Sequence, residues 1–446
     1  MTIKYDLLLD KSTIAKTLSK DLKKITISNS EYEYNTLSYK INKITINKLL
    51  PSIKNNHFCY FKSKDNINEY LGIGVIKSFR GIDSISSALN IIESNTKQNL
   101  IFMGGQNFSP LITNTNEWLK FSNCYYFLPR LVIAQNNNEY SLNINISNKS
   151  ISSEVEKLNL IHEITRCLTF IFSRDSSYQY LSKELIPDQS KWIKNLELIK
   201  TKIDSNTTLE KVVMARKVKY SFNQEKGNNF ANYFLDNVEK YPNSYNFYLS
   251  LGEKNNFISY SPEKFLKIEK KKLTIDAIAG SEKTKELLFS DKNIKEHRFV
   301  FSEIQSNLNE LGIIFETLFK EETLDLGYIM HIHTMLKSKI ENLKTLPSLI
   351  NKLHPTPAVG GFPKDESIKA ISENEGFNRG WYAAPVGIMS HKHTELLVAI
   401  RSILNHLNEL HLFAGAGIIS QSDSLEEWNE TYQKMNNLFI PADENS

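Results

Sequence analysis

A chain of 446 residues with 41% hydrophobic and 23% charged residues has the composition of a folded protein, neither disordered nor fibrous. Its 54 Lys and Arg against 50 Asp and Glu leave a formal charge of +4, which excludes a global field for gripping nucleic acid or an anionic membrane. No run approaches about 18 uninterrupted apolar residues, the start of the chain lacks a signal-type apolar core, and Cys59, Cys124 and Cys167 form neither a Cys-x-x-Cys pair nor an even set; a reduced, cytoplasmic protein is expected.

In chain order, β-branched and aromatic runs at 70–79 (YLGIGVIKSF), 100–108 (LIFMGGQNF) and 124–134 (CYYFLPRLVIA), bounded by Asn, Ser or Gly, predict strands. Val155, Leu158, Ile161 and Ile164 then recur at helical spacing, as do Trp192, Leu196, Ile199 and Ile203 after Pro187. Beyond them LEKVVMARKVKYSF from 209 reads as a strand and 228–240 as a helix. YNFYLSLG, NFISYS, KFLKI and KLTIDAIAGS read as strands, and a long helix is expected over 291–319. The alternation lacks a βαβ cadence, and neither a short repeat nor a linker is present. Two sheet-rich halves, 1–185 and 186–446, sharing one large core are therefore expected.

Strand alternation from 209 puts Lys211 on the same face as Leu209, Val213 and Ala215. Desolvation of such a lysine favours the neutral amine of a general base or nucleophile, although a snorkelling or edge-strand lysine has the same pattern. Glu263 follows the turn Ser261-Pro262, where a carboxyl can be held protonated as a general acid or simply be solvated. In the last helix Leu425, Trp428, Tyr432 and Met435 read as the apolar stripe, with Glu427, Glu430 and Lys434 beside it. Glu296 on an earlier helix adds a carboxylate. Mg²⁺ takes carboxylates from separate helices together with substrate oxygens, and a charged solvated face is the plain alternative. His331 and His333, at i and i+2, make a poor zinc pair and read as a polar contact or as core histidines. AIAGS, AVGGF and FAGAGI match neither the Walker A nor the dinucleotide glycine pattern.

Taken together, KVVMAR, SPEKF, AIAGS, KEHRFV, HIHT, LHPTPAVGGFP, FNRGWYAAPVG, AIRS, FAGAGI and EEWNETYQKM over roughly residues 190–440 resemble the chorismate-utilising enzyme family, and within it the isochorismate synthases. MGGQNF (103–108) and FLPR (128–131) resemble the family's degenerate amino-terminal sheet. The resemblance implies an α+β fold of two large packed antiparallel β-sheets surrounded by helices, with the cleft built mainly by the carboxy-terminal half. It also implies an isomerase that converts chorismate to isochorismate for menaquinone or siderophore formation, menaquinone being favoured. By the same resemblance Lys211 is the base that activates water and Glu263 the acid that protonates the departing 4-hydroxyl. Glu296 and Glu430 are Mg²⁺ ligands and Glu427 a water-mediated one. Arg401 grips a carboxylate, and Gly280, Ser281, His331, Thr334, Ala358, Tyr382, Gly415 and Lys434 line the substrate pocket.

Ala358-Val359 resembles the isochorismate synthase form of its loop. Ala383-Ala384 departs from the family, where a glycine is frequent, and a methyl there would tighten the pocket. Lys211 favours water over ammonia as nucleophile, so no glutamine amidotransferase subunit is expected, and the chain is expected to be a monomer or weak dimer. Two alternatives stand beside this reading: a salicylate synthase, which goes on to eliminate pyruvate, and a non-catalytic chorismate-binding protein.

Overall fold

The computed structural model describes residues 2–3, 11–23, 32–53, 57–109, 115–168, 180–205, 208–222, 230–252, 254–282, 284–325 and 330–438. Most strand residues are buried on both faces, and this is why the sequence shows continuous apolar runs rather than clean alternation. On strand His57–Lys62, Cys59 and Phe61 turn to one hydrophobic core while Phe58 and Tyr60 turn to another. The first core lies between two sheets, and the second lies between the outer face of one sheet and the helices Lys11–Leu22, Glu154–Cys167 and Phe230–Val238.

Among the described residues one sheet has thirteen strands and the other nine, antiparallel throughout except for the bridge of Thr2–Ile3 to Lys40–Ile41. Each sheet is assembled from both halves of the chain. In the larger, His57–Lys62 pairs with Tyr245–Leu251; in the smaller, Ile101–Gln106 pairs with Pro385–Ser390. This is the two-sheet α+β architecture expected from the sequence, with strand Tyr180–Ile186 spanning the expected division at 185.

Two predicted runs each supply two strands in different sheets. YLGIGVIKSF breaks at Gly74, whose φ of 72° ends Asn68–Ile73 before Lys77–Arg80 begins. CYYFLPRLVIA divides at Pro129-Arg130 into Cys124–Leu128 and Leu131–Asn136. The helix expected over 291–319 ends at Glu310. Gly312 takes φ 67°, its amide and that of Ile313 donate to the Asn309 and Leu308 carbonyls, and the β-branched, aromatic residues beyond form strand Phe315–Asp325. Helical spacing also misjudged two buried faces. In Glu154–Cys167 the core takes Leu160, Ile164 and Cys167 and leaves Val155 and Leu158 exposed. In Ser424–Asn436 it takes Ser424, Trp428, Thr431 and Met435 and leaves Leu425 and Tyr432 exposed, because the helix turns its small residues toward buried Arg216. That guanidinium lies 3.5 Å over the Trp428 ring and donates to the Thr431 hydroxyl and the Trp428 carbonyl.

Candidate active site

Lys211 opens strand Lys211–Phe222, between the short strand Gly361–Phe362 and the long strand Glu409–Ile418. It is 2% exposed, and its Nζ lies 2.6 Å from Glu296 Oε1. Gly417 makes room for this pair: a β-carbon there would sit 3.0 Å from Lys211 Cε and 3.8 Å from Glu296 Oε1. Glu296 arrives on helix Asp291–Glu310, which presses on strand Lys272–Glu282 where Gly280 takes φ 71°. A β-carbon at Gly280 would meet the Asn293 carbonyl at 2.8 Å, so the glycine permits the approach that carries Glu296 to Lys211.

Glu263 follows the Ser261-Pro262 turn, its amide donating to Ser261 Oγ (3.1 Å) and its carbonyl accepting from Val398 N (3.1 Å). Burial, reinforced by the negative charge of Asp276 and opposed by Lys211, pushes its carboxyl up to about 7. Asp276 goes the other way. Burial would raise it, but Lys264 (3.1 Å) and His333 (3.1 Å) outweigh that and hold it ionised. Two carboxyls in one neighbourhood are thereby driven apart, one protonated near neutrality and one charged.

His331 stands opposite Ser281 on strand Met330–Lys339. Burial first, then the charges of Arg401 and Lys64, push it down to about 4 against the pull of Glu296, with Lys434 adding to the fall. Those four charged groups therefore all act on one imidazole. Lys434 donates to the Gly415 carbonyl (3.0 Å) and pairs with Glu430 Oε1 (2.6 Å). Gly415 abuts Tyr382, whose hydroxyl would lie 2.9 Å from a β-carbon at 415, and the Tyr382 ring stacks on Phe413 at 5.3 Å. Thr334 is fully buried, its hydroxyl accepting from the Glu321 amide (3.0 Å). Ala358 is half-buried in a loop tied to the Lys211 strand by Val213 N donating to the Gly360 carbonyl (2.9 Å). The side chain of Ser281 lies outside the described residues. Ala383 takes φ 61°, so the departure from glycine at 383–384 includes a residue in left-handed backbone as well as added volume.

The structure thus brings Lys211, Glu296, Glu263, His331, Arg401, Gly415, Tyr382, Lys434 and Glu430 to one end of the two sheets. Glu427 sits one turn before Glu430, half-buried. Among the described residues no three His, Cys, Asp or Glu side chains are grouped to hold a metal ion. Glu296 and Glu430 flank opposite ends of the Gly415–Gly417 segment, about 7 Å of strand, and each is paired with a lysine.

Sequence reasoning missed three contributors. Asp276 and Lys64 carry no local signal, one lying inside a strand and the other in a hairpin turn more than a hundred residues before the main motifs. Arg379 stands in the segment FNRGWYAAPVG, but its partner Glu375 caps the end of helix Lys364–Asn374 and Gly376 follows with φ 75°, so no helical spacing pairs the two. Both are 2% exposed and form a bidentate ion pair. Arg379 also donates to the carbonyls of Val213 (2.6 Å) and Val359 (2.9 Å), while Glu375 accepts from Ala215 N (2.6 Å). The pair therefore fastens the Lys211 strand to the loop that carries Ala358.

The chain is similar to several known proteins. The chain is 26% identical to isochorismate synthase MenF of Haemophilus influenzae over 81% of its length and 84% of the relative's. It is 28% identical to isochorismate synthase MenF of Bacillus subtilis, over 75% and 73%. Its fold matches the solved structure of MenF, the menaquinone-specific isochorismate synthase from Escherichia coli, with a TM-score of 0.83 at 22% identity over 96% and 99% of the two chains. It also matches anthranilate synthase component I from Streptococcus pneumoniae with a TM-score of 0.62 at 18% identity, over 93% and 94%. Since the model of the chorismate binding enzymes matches residues 20–440, which include every one of these site residues, the chain belongs to that family.

Proposed function

We propose that the protein is an isochorismate synthase, an isomerase that adds water at ring carbon 2 of chorismate while the 4-hydroxyl departs and the ring double bonds shift. The observation that carries this reading is the placement of buried Lys211 in the same charged neighbourhood as Glu263, whose carboxyl keeps its proton up to about 7. Water is a poor nucleophile and hydroxide a poor leaving group, so the reaction needs a base and an acid in one cleft. Acting as base, Lys211 takes one proton from the attacking water while Glu263 gives one to the leaving oxygen, which departs as water; solvent returns the base and the acid to their starting states. The Haemophilus influenzae and Bacillus subtilis relatives carry this activity in their names. The menaquinone role follows the name of the Escherichia coli structure.

Arg401, with its planar fork, suits one substrate carboxylate. Glu296 and Glu430 fit a magnesium ion, which takes one or two carboxylates and completes its shell with water and substrate oxygens; Glu427 would reach it through water. When bound, the ion would neutralise the ring carboxylate and favour electron flow toward the ring. Water as nucleophile leaves no role for an amidotransferase subunit, and a monomer or weak dimer suffices for the chemistry.

The test is incubation of the purified protein with chorismate and Mg²⁺, with and without EDTA and ammonium, followed by chromatography. Isochorismate without pyruvate is expected. Salicylate with pyruvate, anthranilate, or unchanged chorismate would each overturn the reading.

A further inference from the structure

The resemblance assigns every functional group to the carboxy-terminal half, yet the larger sheet carries a cation across from the other half. Lys62 stands opposite Asn246, and Asn246 stands opposite Tyr260. Continuing that register two residues past the paired strands puts Lys64 level with Pro262, two strand spacings or about 10 Å away, within the combined reach of a lysine stem and the bend of the turn. The ammonium does extend there: Nζ lies 3.5 Å from the Pro262 carbonyl oxygen, adjacent in sequence to Glu263.

The backbone that presents Lys64 is firmly held. Ser63 N donates to the Asn68 carbonyl (2.9 Å), Asn68 N to Ser63 Oγ (3.0 Å) and Ile67 N to Asp65 Oδ1 (3.0 Å), and Ser63 Oγ bonds Asp65. From the far side of strand Asn255–Ser261 comes Arg401, whose carbonyl accepts from Tyr260 N (3.2 Å). Lys64 and Arg401 therefore bracket the turn that bears Glu263, and both charges bear on His331. Lys264, the other cation beside this turn, pairs with Asp276 at 3.1 Å, and the same carboxylate also favours the Lys64 ammonium against its burial. A half-buried ammonium on a carbonyl at 3.5 Å makes a marginal hydrogen bond, so that contact by itself does little to fix Lys64 in place.

We propose that Lys64 is a substrate-binding residue supplied by the amino-terminal half, which joins Arg401 on the side-chain carboxylate of a dicarboxylate substrate. The ring carboxylate is left to the Glu296 and Glu430 side of the cleft. The inference rests on the chorismate reading and adds to it a contact that no motif of the resemblance contains. It also gives the two substrate charges separate addresses, one on each side of the acid.

The test compares Lys64→Ala and Lys64→Arg with the wild type in steady-state kinetics on chorismate. Inhibition by a cyclic dicarboxylate bearing a carboxylated side chain, and by benzoate, is measured in parallel. Loss of a charge-assisted contact predicts a roughly ten- to hundredfold rise in KM for Lys64→Ala with kcat changed far less, and most of the loss restored by arginine. The dicarboxylate should weaken by a similar factor while benzoate inhibition holds. An unchanged KM, or equal weakening of both inhibitors, would overturn the proposal; should Lys64→Ala not fold, Lys64→Gln, which keeps the stem, decides it by the same criteria. A wild-type enzyme that leaves chorismate untouched would be seen before any variant and would remove the functional reading itself.

Discussion

Lys211 and Glu296 form an ion pair of 2.6 Å in which the lysine side chain is 2% exposed and the glutamate 29%. Glu296 thus answers two demands, counter-ion to the proposed base and ligand to the proposed cation. Replacing the lysine removes only the first. Lys211→Ala is expected to lower kcat by about 10²- to 10⁴-fold, the usual worth of a positioned base. Calorimetric titration should still show chorismate binding in the presence of Mg²⁺, and full activity in this variant would rule out the base role.

Glu263 must be protonated to serve as the acid. With its carboxyl raised to about 7, kcat/KM should fall as pH rises through that value. Stability has the same sign: the native state binds more protons than the unfolded chain between about 4.5 and 7, so this group's contribution is present at low pH and is lost across that window. Glu263→Gln should therefore be inactive, yet should melt higher relative to wild type at pH 8 than at pH 5. Parallel melting curves at the two pH values check this.

Chelation should stop turnover, and added Mg²⁺ should restore it. Glu430→Gln is expected to raise the half-saturating Mg²⁺ concentration by about tenfold or more, and Glu427→Gln by less, since loss of a direct ligand outweighs loss of one acting through water. A metal titration of activity in each variant separates the two positions. Equal responses would remove the distinction between them.

Arg379→Met would strand Glu375, whose carboxyl burial already pushes upward against the pull of Arg379. Breaking one side of such a buried pair costs about 3–5 kcal/mol, and here the carbonyls of Val213 and Val359 also lose their donor. A large fall in melting temperature is expected, measurable by calorimetry. Arg379→Lys should recover only part of it, because an ammonium cannot reproduce the fork.

The positions of the candidate site are legible in the sequence wherever a short motif holds several neighbouring residues at once. KVVMAR, SPEKF and FAGAGI name Lys211, Glu263 and the glycines beside them, and the structure puts these residues together. Local periodicity served less well at surfaces formed by several elements. Trp428 and Met435 were rightly read as buried, but Tyr432 was not, because buried Arg216 on a distant strand decides which side of that helix faces inward. Asp276 and Lys64 were invisible for a related reason: register across non-neighbouring strands makes them important, and no window of the chain contains that register. The helix expected beyond 310 stops before Gly312, whose φ of 67° ends it; the glycine is visible in the sequence, its conformation only in the structure.

The joining of both halves of the chain in each sheet bears on how the protein is made. Phe61 finds its partner Phe247 roughly 190 residues later, and Gly105 finds Val386 roughly 280 residues later. At about 5–20 residues per second of synthesis, the first of these edges waits some 10–40 s on the ribosome and the second longer. During that interval the nascent amino-terminal segment presents unpaired, apolar strand edges that no residue yet synthesised can cover. The site is therefore among the last parts of the molecule to form, since Lys211 cannot be enclosed until the strand bearing Gly417 has been added.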